Sequence, residues 1–96
     1  MHNGNPPSLV ALPNGRLAAA YGVRSNPSSI RARLSRDHGR TWGRELILRE
    51  DGRTWDMGYC RSVVRADGKI VTMYYFATKE HFENHIAATI WSPVDD

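Results

Sequence analysis

The chain contains one cysteine, Cys60, and two lysines, and it has neither a long apolar run nor a stretch with helical spacing of apolar residues. A single cysteine excludes an intrachain disulfide and any cysteine-rich metal site. No segment approaches the roughly 18 apolar residues that a membrane span needs, so no membrane partner is expected. MHNGNPPS at residues 1–8 lacks the basic and apolar regions of a signal peptide. There is no Gly-rich phosphate loop, and the proline of Asn26-Pro27-Ser28 bars that triplet as a glycosylation acceptor. With lysine so scarce, the net charge of +3 rests on arginine. Guanidinium groups suit planar anions such as carboxylates and phosphates. The basic residues are scattered rather than clustered, which argues against a nucleic-acid partner.

What is present is a 96-residue chain, 41% apolar and 24% charged, the size and composition of one small globular domain. Its signals are those of strands and turns. Ser8–Leu12 is short and apolar, and Asn14-Gly15 supplies a hairpin turn into the apolar run 16–23. Ile30, Ala32 and Leu34 alternate with Arg31, Arg33 and Ser35, the period of a half-exposed strand. Leu46–Leu48 makes a fourth strand. The order then restarts with 59–65, a turn at Asp67-Gly68, 69–77, a polar loop over 79–84 and a strand over 85–91.

That restart is an internal repeat. At an offset of 53, Asn14-Gly15-Arg16-Leu17 falls on Asp67-Gly68-Lys69-Ile70 and Tyr21 falls on Tyr74. Upstream, a one-residue gap aligns Ser8-Leu9-Val10 with Ser62-Val63-Val64. A period near fifty with three or four strands per unit indicates β-propeller blades; an antiparallel meander that reuses its turns is the alternative. The expected fold is all-β, with a first blade over 8–50 and a second, incomplete blade over 57–92, in one unit spanning 1–96. Two blades do not close a ring, so the chain is expected either to belong to a larger propeller or to form a homo-oligomer through its open edges or by strand exchange.

The stretch SRDHGRTW places Ser35, Asp37, Gly39 and Trp42 in the spacing S-x-D-x-G-x-x-W. Serine and aspartate can exchange hydrogen bonds within a tight turn, glycine supplies a backbone angle that side chains avoid, and tryptophan folds beneath the turn. The expected role is structural. GRTW recurs at Gly52–Trp55, but there only the glycine occupies its Asp-box position, so this second copy forms no such turn.

With SRDHGRTW, the paired SLVALPNGRL and RSVVRADGKI, and DMGYCRSVVRADGKIVTMYYF, the chain resembles the BNR-repeat, Asp-box sialidases, which are six-bladed propellers. The order of segments is similar to the last third of such an enzyme. The resemblance implies a retaining glycosidase that holds the substrate carboxylate with an arginine triad and attacks with a tyrosine, the exception among glycosidases. Tyr59 matches the position of that nucleophile; an aromatic cap on its strand is the other reading. Arg24 and Arg31 match the region of the third arginine, with ordinary surface arginines as the alternative. Arg33 reads as structural.

Nothing corresponds to the blades that carry the acid/base aspartate, the glutamate partner and the other two arginines. A tyrosine without a carboxylate partner is a poor nucleophile at neutral pH. The expectation is therefore a sialidase-like piece, inactive alone, that at most binds a sialoside or another anionic glycan. A non-catalytic, self-assembling module is the alternative. No cofactor is implied. His81 and His85 lie four apart, but in a loop and without the HExxH order, so no metal site is expected.

Overall fold

A computed structural model describes residues 7–25, 27–53, 57–80 and 83–94. The end of the second GRTW, His81 and most of the 1–8 segment lie outside the described residues. The fold is all-β. Four strands, β1 (Ser8–Ala11), β2 (Leu17–Val23), β3 (Ser28–Ser35) and β4 (Leu46–Gly52), form one antiparallel sheet in chain order. Three more, β5 (Gly58–Val64), β6 (Ile70–Phe76) and β7 (His85–Trp91), form a second antiparallel sheet, also in chain order. The two sheets remain separate and close no barrel.

Each strand follows from its residues. In β2 the run Ala18-Ala19-Ala20-Tyr21 is buried on both faces, so it reads as continuous rather than alternating. In β5 and β7 buried and exposed positions alternate. The first connection is a single 3-10 turn over Pro13–Gly15, closed by Leu12 N–H donating to the Arg16 carbonyl at 2.8 Å. Gly15 takes φ 76°, but Asn14 stands inside the 3-10 turn, so this is not the two-residue Asn-Gly hairpin that the sequence suggests, which needs positive φ at both residues.

The register corrects the repeat. Ser8 pairs with Ala20 in the first sheet and Arg61 with Met73 in the second, which carries the offset of 53 through the upstream strands without a gap. Ser8 therefore corresponds to Arg61 rather than to Ser62. The distinction matters because a slip of one residue moves every side chain to the other face. Val23 pairs with Ser29 and Phe76 with His85, so β3 and β7 correspond at an offset of 56. The extra three residues lie in the β6–β7 connection.

The core lies between the sheets. Ala18, Ala20, Ile30, Ala32 and Leu34 on the inner face of the first sheet pack with Cys60, Ile70, Tyr74, Phe76 and Trp91 of the second. Strand β5 lies over β1 and β2, and β4 meets β7. Small residues on one side receive large aromatic ones on the other. Burying one such large side chain contributes about 1.5–3 kcal/mol. The aromatic polar groups are answered inside: Trp91 Nε1 donates to Thr72 Oγ1 at 2.9 Å, and Tyr74 and Thr89 share a hydrogen bond of 2.6 Å.

These faces are not equivalent in the repeat. Tyr74 faces the first sheet, whereas its counterpart Tyr21 lies on the first sheet's outward side, among Arg31, Arg33 and Glu45. The contact is head-to-tail, one face of the repeat against the opposite face of the next.

Gly52 ends β4 tight against Ser28 of its own sheet and Phe76 of the other. A Cβ there would lie 2.8 Å from the Ser28 carbonyl oxygen and 2.9 Å from Phe76 Cζ. Gly52→Ala is expected to cost about 1–3 kcal/mol through overpacking. For a domain of this size that lowers the melting temperature by roughly 4–8 °C per kcal/mol. An unchanged melting temperature by circular dichroism would show that Ser28 and Phe76 yield freely.

Candidate functional site

Antiparallel meanders place alternate connections on the same rim. One rim gathers the β2–β3 connection with Arg24, the end of β4, the start of β5 with Tyr59, and the segment after Phe76. The Asp-box turn, between β3 and β4, lies on the opposite rim. The fold thus brings Arg24 and Tyr59 to one end and sets Ser35, Asp37, Gly39 and Trp42 at the other.

Tyr59 is held in an unusual backbone. Gly58 has φ 118° and Tyr59 φ 50°, and the pairing of β5 with β6 shifts register between Gly58 and Arg61. Such a bulge bends the strand and re-aims its side chains. A non-glycine residue in the left-handed region costs of order 1 kcal/mol or more and tends to mark functional positions. The Tyr59 ring is 62% exposed and stacks on Tyr75 with centroids 5.7 Å apart. Among the described residues, no side chain hydrogen-bonds its hydroxyl.

Beside this rim lies a half-open cleft of about 430 Å³ lined by Pro27, Asp51, Gly52, Arg53, Lys79 and Glu80. Arg53 N–H donates to the Ala77 carbonyl at 2.9 Å and ties the end of β4 to the segment after β6. Asp51 is taken by the Arg49 guanidinium, Nε to Oδ1 at 2.6 Å and Nη2 to Oδ2 at 3.2 Å. Arg49 in turn lies 4.7 Å over the Phe76 ring. The Nε of Arg24 is sealed from solvent, while the residue as a whole is half-buried. Arg53 and Lys79 escaped the sequence reading, since only the fold brings residues 27, 53 and 79 together.

Arg31 is placed elsewhere. It lies on the outward face of the first sheet, where Nη1 meets Glu45 Oε1 at 2.7 Å and Nε donates to Ser29 Oγ at 2.8 Å. Tyr21 OH donates to the other Glu45 oxygen, and Arg33 reaches the Tyr21 hydroxyl at 3.3 Å and the Gly43 carbonyl at 3.1 Å. Burial pushes the Glu45 carboxyl up, but the bonds from Tyr21 and Arg31 outweigh it and hold the group below its ordinary value. Burial and the Glu45 charge raise the Tyr21 phenol. This network neutralises Arg31. Tyr59, stacked on Tyr75, lies on the outward face of the second sheet, away from Arg31 on the outward face of the first.

The Asp-box turn is closed by its own side chains. Ser35 Oγ donates to Asp37 Oδ1 at 2.9 Å and accepts from Gly39 N–H at 2.8 Å. Asp37 also accepts from the Thr41 hydroxyl at 2.6 Å and the Thr41 amide at 2.9 Å. Gly39 takes φ 89°, with Trp42 half-buried beside it. Thr41, which lies outside the S-x-D-x-G-x-x-W pattern, supplies two of the bonds.

Among the described residues no cluster of histidine, cysteine and carboxylate groups could hold a metal. His85 opens strand β7 rather than lying on a helix. The Cys60 thiol is buried, which pushes it up to about 11 and leaves it unreactive.

No protein-family model and no curated protein matches the sequence. Among solved structures, the chain is similar to a crystal structure of a protein of unknown function from Dyadobacter fermentans DSM 18053. That protein is 34% identical with a TM-score of 0.81 over 93% of this chain. The match covers 25% of that protein, so the present chain spans a quarter of its length. The two-sheet unit therefore recurs as part of a longer chain.

Two predictions concern the Asp-box. Ser35→Ala strips the half-buried Gly39 N–H of its acceptor and should cost about 1 kcal/mol, read from urea or thermal unfolding. The Asp37 carboxyl is held at about 2, below its unfolded 3.8, by the Thr41 hydroxyl, the Thr41 amide and Ser35. A depressed carboxylate stabilises fully above the unfolded value and loses that contribution as pH falls through the folded one. The melting temperature should therefore drop more steeply between roughly pH 4 and 2 in the parent chain than in Asp37→Asn. Parallel curves would remove Asp37 from the acid response.

Proposed function

We propose that this chain is a two-blade piece of a sialidase-like propeller, inactive alone, whose Tyr59 rim offers a surface to an anionic glycan. The observation that carries this reading is the Gly58-Tyr59 bulge. It holds an exposed phenol in a strained backbone on the same rim as Arg24 and the cleft, with the Asp-box turn on the far rim. Arg24 and the cleft cations Arg53 and Lys79 supply positive charge for a carboxylate. Tyr59 and Tyr75 supply an aromatic platform for a sugar face.

Hydrolysis is not expected of the chain by itself. Among the described residues no carboxylate bonds the Tyr59 hydroxyl to take its proton, and Arg31 is already paired with Glu45. In this reading the remaining catalytic groups come from other blades. The second reading, a self-assembling module without chemistry, is favoured by the apolar outward face of the second sheet.

Two assays test the proposal. Titrating the chain with sialyllactose should shift backbone NMR signals around Arg24 and Tyr59, whereas lactose should not. Arg24→Ala should weaken this binding about tenfold, as expected for loss of a charge-assisted hydrogen bond. Unmoved signals at the rim would discard the glycan surface. Release of product from a fluorogenic sialoside at enzyme-like rates would overturn the claim that the chain is inactive alone.

A further inference from the structure

The internal repeat shows what should cover the second sheet. Ile30 is buried to 0% between the sheets, and its counterpart Ile86 is 79% exposed. Leu34 is 2% exposed and its counterpart Ile90 is 56% exposed; for Ala20 and Met73 the values are 2% and 39%. The outward face of the second sheet thus carries apolar residues at the positions that the first sheet uses to bind its neighbour. Val63 and Tyr59 extend this patch. Contiguous exposed apolar patches tend to mark interaction surfaces, and Ile86, Ile90, Met73, Val63 and Tyr59 all stand exposed on this one face.

Within the chain, this type of face is covered by the opposite face of the next sheet. Among the described residues the matching opposite face is the outward side of the first sheet, where Leu9 and Ile47 on the flanking strands are 54% and 52% exposed, while Tyr21 at its centre is closed in beside Arg31, Arg33 and Glu45. Tyr21 lies on it at the place that Tyr74 holds in the internal contact.

We infer that the outward face of the second sheet docks on the outward face of the first sheet of a second copy, repeating the internal contact head-to-tail. This goes beyond the glycan reading and does not depend on it. It also differs from edge pairing, because strand edges take no part. Such a heterologous contact adds copies until the rotation closes a ring, or else continues as a fibre.

The experiment is sedimentation or light scattering on the whole chain, with single-face variants checked for folding by circular dichroism. The parent should be larger than a monomer and concentration-dependent in mass. Ile86→Glu blocks one face and Leu9→Glu the other; both sites are exposed in the single chain. A carboxylate buried without a partner should weaken association at least about tenfold in each variant. An equimolar mixture of the two variants retains one good face on each partner and should form a 1:1 dimer and nothing larger. A monomeric parent overturns the inference. So does association lost in Ile86→Glu but kept in Leu9→Glu, which indicates symmetric pairing of the second-sheet faces. Association kept in both variants overturns it as well, since edge pairing then accounts for the assembly.

Discussion

The structure depends on a size match across the gap between its two sheets. Stacked sheets lie about 10 Å apart, and side chains from both must fill that space without voids. Here the second sheet contributes Tyr74, Phe76 and Trp91, and the first answers with Ala18, Ala20 and Ala32. The Ala-rich run of β2 is therefore a packing requirement rather than a weak strand signal. The same closeness leaves no room for a Cβ at residue 52, and it allows the Arg49 guanidinium to lie on the Phe76 ring.

What could be read in advance was local. The seven strands announce themselves by alternation and turn residues, and the second sheet stops one strand short as the restart implies. The Asp-box turn is legible because its bonds join residues within six positions of one another. The network around Arg31 is not, because Glu45 lies fourteen residues away and reaches it only through the pairing of β3 with β4. Matching identical residues also misplaced the upstream repeat by one. Ser8 and Ser62 look alike, but backbone pairing sets Ser8 opposite Ala20 and Arg61 opposite Met73. Identity is a poor guide where a strand carries several small or aliphatic residues, and register decides which face they serve. The cleft of Pro27, Arg53 and Lys79 joins three separate connections, so no single stretch signals it.

The two rims divide the labour. At one, Asp37 and Ser35 satisfy the turn from within. At the other, Tyr59 occupies a strained angle that its own sequence does not favour. Strain of that kind persists only where neighbours over-determine it. Met57 is fully buried just before the bulge, Gly58 pairs with Tyr75, and Tyr75 carries the Tyr59 ring. Anchors on both sides of the angle hold the phenol in place.

The outward face of the first sheet has a feature that an ordinary solvent face does not need. Its polar atoms are already answered by one another: Glu45 by Arg31 and Tyr21, Arg31 by Ser29, and Arg33 by Tyr21 and Gly43. In water such pairing adds little, because exposed ion pairs contribute about 0–1 kcal/mol. Under a covering sheet it becomes necessary, since a buried charge without a partner costs several kcal/mol. The covered face of the second sheet follows the same pattern with neutral groups, in Tyr74 with Thr89 and Thr72 with Trp91 and Ser62. The repeat therefore solves one problem twice. Between the sheets it uses hydroxyls and an indole, and on the outward face of the first sheet it uses a closed network of ions.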